Sequence, residues 1–310
     1  MNRPIKKIYS WYVPLGAIFC CALWGLSFPC MGTIYRSFPT GGLPATQILL
    51  AGIRFAAAGG ILLLFSLSRG EPILAALRRR PLSLAGFGLL QTGLQYGCFY
   101  LSMSALPSGR ASLINTTNAF LSVLLAHFFC AGDRLNRNKL AGCALGFLGI
   151  LLLSGDISGN PAPWADVLML LSALSFSAGN IVCQRLARHC RPVPLAGWQM
   201  LFGGGALTLA GLLGGGSLRN GAAAGWLLTA FLIAQSAAAF SLWNLLLTMA
   251  PVSSIGIYTC LIPVVGVFSS LILPDEPPLT ARVLGALALC VLGVVFVNMP
   301  NCGKIKNSST

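Results

Sequence analysis

Ten apolar stretches of about twenty residues, divided by short polar gaps, constrain this 310-residue chain more than any other feature. A stretch of that length crosses the hydrocarbon core of a bilayer as a helix, because lipid offers backbone amides no hydrogen-bond partner. Strands of a membrane barrel need only about ten residues. The sequence therefore predicts an all-α polytopic membrane protein with ten transmembrane helices: Val13–Ile34, Thr46–Leu67, Leu82–Leu101, Ala111–Ala131, Leu140–Ile157, Trp164–Leu186, Leu195–Leu213, Gly225–Met249, Ser253–Leu273 and Ala281–Val297.

The positively charged residues alternate between the two sides of these predicted helices. Fifteen of the twenty Lys and Arg lie in or directly beside every second gap, four lie in or beside the other gaps, and Arg54 alone lies deep inside a stretch. Because cytoplasmic loops retain Lys and Arg, we expect an even number of helices in the cell membrane, with both termini cytoplasmic. The fifteen are Arg3, Lys6, Lys7, Arg69, Arg78, Arg79, Arg80, Arg134, Arg137, Lys139, Arg185, Arg188, Arg191, Lys304 and Lys306.

Composition excludes several other classes of protein. Only 8% of the residues are charged and 56% are apolar, whereas a soluble globular domain carries roughly 25% charged residues. The net charge of +14 indicates contact with anionic lipid headgroups rather than with nucleic acid, because the basic residues are dispersed through short loops. Nine of the eleven Cys lie within apolar stretches and no CxxC spacing occurs, so we predict no metal site and no cofactor.

Two passages of the chain resemble one another. Ala105–Ser154 resembles Ala250–Asn298, and a shift of 143 residues aligns Asp133 with Glu276 and Gly142 with Gly285. Each passage contains an apolar helix, an acidic residue in a polar turn and a helix with glycine. Duplication of an odd number of helices gives copies of opposite orientation, which is a transporter architecture. We expect two inverted five-helix repeats, residues 1–157 and 158–310.

The residues that carry a family resemblance are ALWGLSF (Ala22–Phe28), Arg54 in AGIRFAAAG, and the two helix–acid–helix units. The chain resembles the EamA-type proteins of the drug/metabolite transporter superfamily. The resemblance implies ten helices in two inverted repeats, a location in the cytoplasmic membrane, and transport of a solute, often efflux of amino acids or other metabolites. Two departures bear on the first repeat, which has Phe120 where such units have Pro, and Asp133 in place of Glu. The second unit keeps Pro263.

Arg54 is the first candidate for contact with a solute. It lies near the middle of the second predicted helix, and no acidic residue occurs at comparable depth in any stretch. One interpretation is an anchor for a carboxylate, because a guanidinium forms two parallel hydrogen bonds with that group. The other is a structural Arg that donates to carbonyls of neighbouring helices or reaches a headgroup.

Amides and aromatic rings on several other helices complete the predicted site. They are either ligand-orienting groups of one polar cavity or hydrogen bonds that hold neighbouring helices together. Tyr96, Trp198 and Trp243 are further candidates for apolar walls. The predicted substrate-binding residues are Trp24, Arg54, Gln91, Gln95, Asn115, Asn118, Asn180, Gln235 and Tyr258.

Proline and glycine predict the geometry of three helices. Pro263 removes one backbone hydrogen bond and is expected to kink the ninth helix, either as a hinge or as a fixed bend. Gly142, Gly146 and Gly149 form a small-residue stripe that favours close helix packing, within a monomer or between the two copies of a homodimer. The triplets Gly203–Gly205 and Gly214–Gly216 give the seventh helix weak local propensity, so we expect it to be irregular or mobile.

The function that these features favour is a secondary transporter of a small organic solute, such as an exporter of an amino acid or related metabolite, working by alternating access. The alternatives are a polytopic membrane enzyme and a channel. An enzyme is disfavoured because the six acids are scattered and no nucleophile motif occurs. A channel is disfavoured because no ring of charge or filter-like motif is present.

Overall fold

The computed structural model describes residues 3–106, 108–154, 162–270 and 281–299, and every regular element in these ranges is helical. Two elements are not α-helices: a π-helical turn at Leu89–Leu94 and a 3-10 helix at Ile257–Cys260. The α-helices are α1 (Arg3–Arg36), α2 (Pro44–Ser68), α3 (Ile73–Arg79), α4 (Pro81–Gly88), α5 (Gln95–Met103), α6 (Ser108–Phe129), α7 (Arg137–Ser154), α8 (Pro163–Leu186), α9 (Pro192–Leu213), α10 (Ala223–Met249), α11 (Val252–Gly256), α12 (Leu261–Ser270) and α13 (Ala281–Asn298).

Seven helices of the described part are long and apolar enough to cross a membrane. They are the first, second, fourth, sixth, seventh, eighth and tenth of the predicted segments, which confirms a helical, polytopic architecture. The third predicted segment consists of α4, the π-helical turn and α5, and the ninth consists of α11, the 3-10 helix and α12. The fifth is α7. The predicted ends Ile157 and Leu273, the boundary between residues 157 and 158, and Glu276 lie outside the described residues.

Proline explains where α4 begins and why the ninth predicted segment is interrupted, whereas the third segment is interrupted by the π-helical turn. Pro81 begins α4 directly after α3, at a helical position where its missing N–H costs nothing. Pro263 lies in the first turn of α12 and cannot donate to the carbonyl of Thr259, and the tighter 3-10 helix lies immediately before. At the matching position of the first passage, Phe120 lies within α6, which is continuous over its whole length. The first unit thus has Phe120 in place of the Pro of the family pattern, and its helix is unbroken at this position.

Helices α2 and α9 pack against each other along their lengths through small residues. A Cβ atom added at Gly52 would lie 2.3 Å from the backbone nitrogen of Thr208, and one at Gly204 would lie 2.3 Å from that of Ala56. The expectation that Gly203–Gly205 makes this helix irregular was wrong, because α9 is continuous. Contact with α2 and with the π-helical turn stabilises it where local propensity is weak.

The glycine stripe of α7 packs against α13 in the same chain. A Cβ atom at Gly142 would lie 2.6 Å from the carbonyl oxygen of Gly293, and one at Gly149 would lie 2.8 Å from the sulfur of Cys290. Of the two alternatives for this stripe, contact within the monomer is therefore the one that the structure contains. A homodimer stays a prediction.

Adjacent glycines of α9 give a matched test of this packing. We expect Gly204→Ala to lower the free energy of unfolding by about 1–3 kcal/mol, because the methyl group would overlap the α2 backbone. Gly205→Ala is the control, since nothing lies within 4 Å of its added Cβ, and it should leave stability unchanged or raise it by up to about 1 kcal/mol. Unfolding in mixed micelles measures both. Equal effects of the two variants would contradict the packing account.

Candidate functional site

A central cavity lies between seven helices from both halves of the chain. The volume of this cavity is about 90 Å³. Five of the nine predicted substrate-binding residues line it. The lining consists of Trp24, Ser27 and Met31 on α1, Arg54 on α2, Gln95, Tyr96, Phe99 and Tyr100 on α5, Asn115 and Asn118 on α6, Phe176 on α8, Ser236 on α10 and Ile262 on α12.

The cavity belongs to one end of the helical bundle. On α1 the lining begins at Trp24 and continues toward Arg36, while Cys20 and Cys21, one turn earlier, are fully buried. On α6 the lining residues lie in the half of the helix that includes Arg110. The cavity therefore extends from the middle of the bundle toward the end that carries Arg36 and Arg110.

Arg54 is buried in the wall of this cavity without an acidic partner. Only 5% of its surface is exposed, and it belongs to none of the ion pairs among the described residues. One terminal nitrogen lies 3.9 Å from the sulfur of Met31, and the guanidinium carbon lies 4.3 Å from the ring centre of Phe55. Its Nε has no hydrogen-bond partner. The guanidinium thus contacts a thioether sulfur and an aromatic ring. Its N–H groups stay available as hydrogen-bond donors to an anion.

Amides and a hydroxyl border the cavity on the opposite wall. Thr259 donates to the side-chain oxygen of Asn118 at 2.6 Å, which fixes this amide between α6 and the 3-10 helix. Ser27 and Gln235 bond to each other across α1 and α10 at 2.9–3.2 Å. Gln235 does not line the cavity itself but holds Ser27, which does. The predicted amide of Gln235 on α10 therefore contacts a residue of the lining and not the cavity itself.

An aromatic cluster closes the inner end of the cavity. Trp24 contacts Trp243 edge-on at 5.0 Å between ring centres, Phe240 at 5.3 Å and Phe176 at 6.1 Å. Trp243 and Phe240 are fully buried. Such edge-to-face contacts are favourable beyond the apolar area that they bury. The four rings separate the cavity from the opposite half of the bundle.

A second layer of polar side chains lies behind this aromatic cluster and contains two of the predicted residues. Gln91 and Asn180 are fully buried and bond to each other at 3.4 Å, and Trp243 donates to Asn180 at 3.0 Å. Neither amide lines the cavity, and both make the contacts between helices that the sequence analysis gave as the alternative to a polar cavity. Gln91 lies in the π-helical turn, and its side-chain oxygen and the Asn180 nitrogen have no partner. A π-helical turn and unpartnered buried polar atoms are both frequent at functional positions.

Tyr258 and Pro263 flank the cavity without lining it. The carbonyl oxygen of Tyr258 accepts from the Cys21 thiol at 3.2 Å, and its side chain is buried in the main apolar core. Pro263 follows Ile262, which does line the cavity. The predicted hinge at Pro263 and the predicted substrate contact of Tyr258 stay predictions.

Several lining residues were not among those predicted. Ser27 and Met31 follow Trp24 at helical spacings of three and seven residues, a signal that a search along one face of α1 would have found. Phe99 and Phe176 look like ordinary membrane-facing residues in the sequence, and only the packing of α5 against α8 brings them together. Trp198, a candidate for an apolar wall of the site, does not line the cavity and stacks on Phe202.

Comparison with known proteins decides the family. The EamA-like transporter family matches this sequence twice, over residues 11–155 and 163–299. The chain belongs to this family. It is therefore a multi-pass membrane protein of a transporter family, in agreement with the resemblance in its motifs.

Several curated proteins and a solved structure are similar to this EamA-family chain. The probable amino-acid metabolite efflux pump of Escherichia coli (strain K12) is 27% identical over 289 residues, which cover 88% of this chain and 90% of that protein. The uncharacterized inner membrane transporter YedA of the same organism is 29% identical over 209 residues, 66% of this chain and 63% of that protein. The match thus spans less than two thirds of YedA. One crystal structure superimposes with a TM-score of 0.75 at 23% identity, covering 92% of this chain and 96% of that one, and shows the fold alone.

At the opposite end of this EamA-family bundle, a buried carboxylate joins the two regions that match the family. Asp133, in the turn after α6, accepts hydrogen bonds from Lys139, from the Ser253 hydroxyl, and from the Ser253 backbone N–H at 3.0 Å. Asp133 and Lys139 are both buried. Ser253 lies in α11, so these bonds tie the first matched region to the second. We call this set the Asp133 clamp.

Two further polar contacts join the same halves. At one end of the α6–α8 pair, Arg110 donates to both carboxylate oxygens of Asp166, at 2.8 and 2.5 Å. At the other end, Arg185 donates to the carbonyl oxygen of Phe129 at 2.8 Å. Helices α6 and α8 are thus held together at both ends, while the Asp133 clamp holds α11.

A double-mutant cycle tests the Asp133 clamp. Asp133→Asn should lower the free energy of unfolding by about 3 kcal/mol, because it leaves the buried Lys139 without its counter-ion. The double variant Asp133→Asn/Lys139→Met should recover at least half of that loss, since no unpaired charge remains. Unfolding in mixed micelles measures the cycle. Additive losses in the double variant would contradict the proposed coupling.

Proposed function

We propose that this EamA-family protein is a secondary carrier of a small organic solute that bears a carboxylate or another anionic group. The observation that carries the proposal is the buried guanidinium of Arg54, which has no ion-pair partner among the described residues and lies in a cavity whose described lining contains no acid. Placing a charge within a bilayer costs at least about 2.5 kcal/mol, so an uncompensated Arg there is expected to have a use. The solute's own negative charge is the counter-ion.

The carrier works by alternating access between two inverted five-helix repeats, residues 1–157 and 158–310. The double match of the family supports a duplication. Packing of the second segment on the seventh and of the fifth on the tenth also supports it, because these are corresponding helices of the two repeats. In this architecture ten helices cross the membrane, the third and ninth as interrupted helices. Interrupted helices at the substrate site are a feature of such carriers.

The position of the cavity supports alternation between two states. It extends from the aromatic cluster toward one end of the bundle, while the Asp133 clamp ties the two halves at the other end. If the Lys- and Arg-rich gaps are cytoplasmic, the structure is a state open toward the outside. Export then requires separation of the clamp and rearrangement of the rings around Trp24.

The lining favours a solute of amino-acid size. The guanidinium of Arg54 binds a carboxylate, the side chains of Asn115, Asn118 and Gln95 offer both donors and acceptors, and Phe99, Tyr100 and Phe176 surround an apolar portion. A relative named as a probable amino-acid metabolite efflux pump supports the same class. A membrane enzyme and a channel are the alternatives, and membership of a transporter family favours a carrier over both.

Transport by the purified protein in proteoliposomes tests the proposal directly. A panel of radiolabelled amino acids and related metabolites is supplied in exchange assays, with and without a pH gradient. At least one carboxylate solute should be carried faster than by empty liposomes. Failure of every anionic member of the panel, together with transport of a neutral solute, would contradict the proposed substrate class.

Arg54 variants test the anchor. Arg54→Gln should lower kcat/KM for a carboxylate solute at least about tenfold, because a hydrogen bond to a charged group contributes about 1.5–3 kcal/mol. Arg54→Lys should lie between wild type and Arg54→Gln, since it keeps the charge but loses the bidentate geometry. Arg36→Gln, at the exposed end of α1, is the control with the same change in charge. Normal carboxylate transport by Arg54→Gln would show that Arg54 is structural.

Accessibility tags test the orientation. Tags after Arg80, near Asn138 and at the C-terminus should be protected in intact cells, whereas a tag near Ser158 should be accessible, because Lys and Arg are retained in cytoplasmic loops. Labelling with a membrane-impermeant reagent before and after permeabilisation distinguishes the two sides. A C-terminus that is accessible in intact cells would contradict the even number of helices.

A further inference from the structure

A second cavity lies at the surface of the bundle, between the α3–α4 junction and the connection from α8 to α9. The volume of this second cavity is about 430 Å³, which is within the range of small-ligand sites. We call it the basic pocket. It is lined by Ala76, Arg79, Arg80, Leu84, Leu186, His189 and Cys190.

The polar side of the basic pocket carries uncompensated positive charge. Arg79 and Arg80 belong to none of the ion pairs of the described residues, and no acid is part of the lining. Glu71, whose charge acts on the lining residue Cys190, accepts a hydrogen bond from Arg191 at 2.8 Å. Burial and the charge of Glu71 raise the pKa of the Cys190 thiol to about 11, so this thiol adds no negative charge at neutral pH.

The position of α3 connects the pocket with the lipid surface. Ile73, Ala76 and Leu77 share one face of this short helix and pack against the main core. Leu74, on the other face, is 53% exposed, and Leu82, just beyond Pro81, is 86% exposed. Apolar side chains exposed beside Arg are the pattern of a helix that lies in the membrane interface. The pocket thus opens where headgroups and acyl chains meet.

We propose that the basic pocket is a binding site for the headgroup of an anionic phospholipid. Arg79 and Arg80 would hold the phosphate, because planar guanidinium groups form paired, charge-assisted hydrogen bonds with phosphate oxygens. Ala76, Leu84 and Leu186 provide an apolar wall for the glycerol and the first part of the acyl chains. A lipid in this place would join α3 and α4 to the α8–α9 connection, which the pair Glu71–Arg191 already links.

Lipid retention by the purified protein tests this site and requires no knowledge of the transported solute. Native mass spectrometry counts the lipids retained, and intrinsic fluorescence gives Tm, after addition of dioleoyl phosphatidylglycerol or dioleoyl phosphatidylcholine. We expect one tightly retained phosphatidylglycerol on the wild type, a rise in Tm with this lipid, and neither effect with phosphatidylcholine. Inorganic phosphate and glycerol 3-phosphate, at the same concentrations, distinguish a lipid from a soluble anion.

The double variant Arg79→Gln/Arg80→Gln should bind phosphatidylglycerol about tenfold more weakly, the effect of losing one set of charge-assisted hydrogen bonds. Arg134→Gln/Arg137→Gln is the control, since it makes the same change in charge at two exposed residues outside the pocket. His189→Gln serves as a milder second variant that should weaken retention less. Equal retention by the two double variants, or equal retention of both lipids by the wild type, would overturn the proposal. Stabilisation by glycerol 3-phosphate as strong as that by the lipid would show a site for a soluble anion instead.

Discussion

The close contact between α2 and α9 is the constraint on which the site depends. Gly52 and Gly59 on one helix and Gly204 and Gly211 on the other let the two backbones meet without side chains between them. At about 100° per residue, Arg54 is turned about 200° from Gly52 around the helix axis. The glycine face of α2 is therefore fixed on α9, and the opposite face carries Arg54 into the cavity. A bulky side chain on the glycine face would move the guanidinium together with the helix.

Polar groups in this bundle form two layers separated by aromatic rings. The outer layer includes Arg54 and Asn118 and borders the cavity, whereas Gln91 and Asn180 of the inner layer are fully buried. Unpartnered buried polar atoms are costly, and Gln91 and Asn180 each retain one. In a carrier that alternates, opening of the other end would expose this inner layer to water or to the solute. The same movement would have to separate Asp133 from Ser253.

The sequence predicts the helical, polytopic architecture and the buried position of Arg54, because the apolar length of a spanning helix follows directly from the thickness of the bilayer. Arg54 could be identified because a charge within an apolar stretch is rare. The division of the amides into two layers could not be predicted. Gln91 and Gln95 are one turn apart in an ideal helix, yet the π-helical turn and the ring of Trp243 separate their environments. The regularity of α9 was also missed, because weak propensity at Gly203–Gly205 is outweighed by packing on α2, which no local pattern reveals.

Distances measured across both ends of the bundle test the central claim, that the cavity is one state of an alternating pathway. Pairs of spin labels, introduced through non-natural amino acids to avoid the native thiols, are placed at Arg134 and Thr248 near the Asp133 clamp, and at Ser104 and Arg219 at the other end. All four residues are exposed. Double electron–electron resonance in nanodiscs should show two distance populations for each pair. Conditions that lengthen the Arg134–Thr248 distance should shorten the Ser104–Arg219 distance. A single unchanged distance for both pairs, with and without carboxylate solutes, would contradict the account.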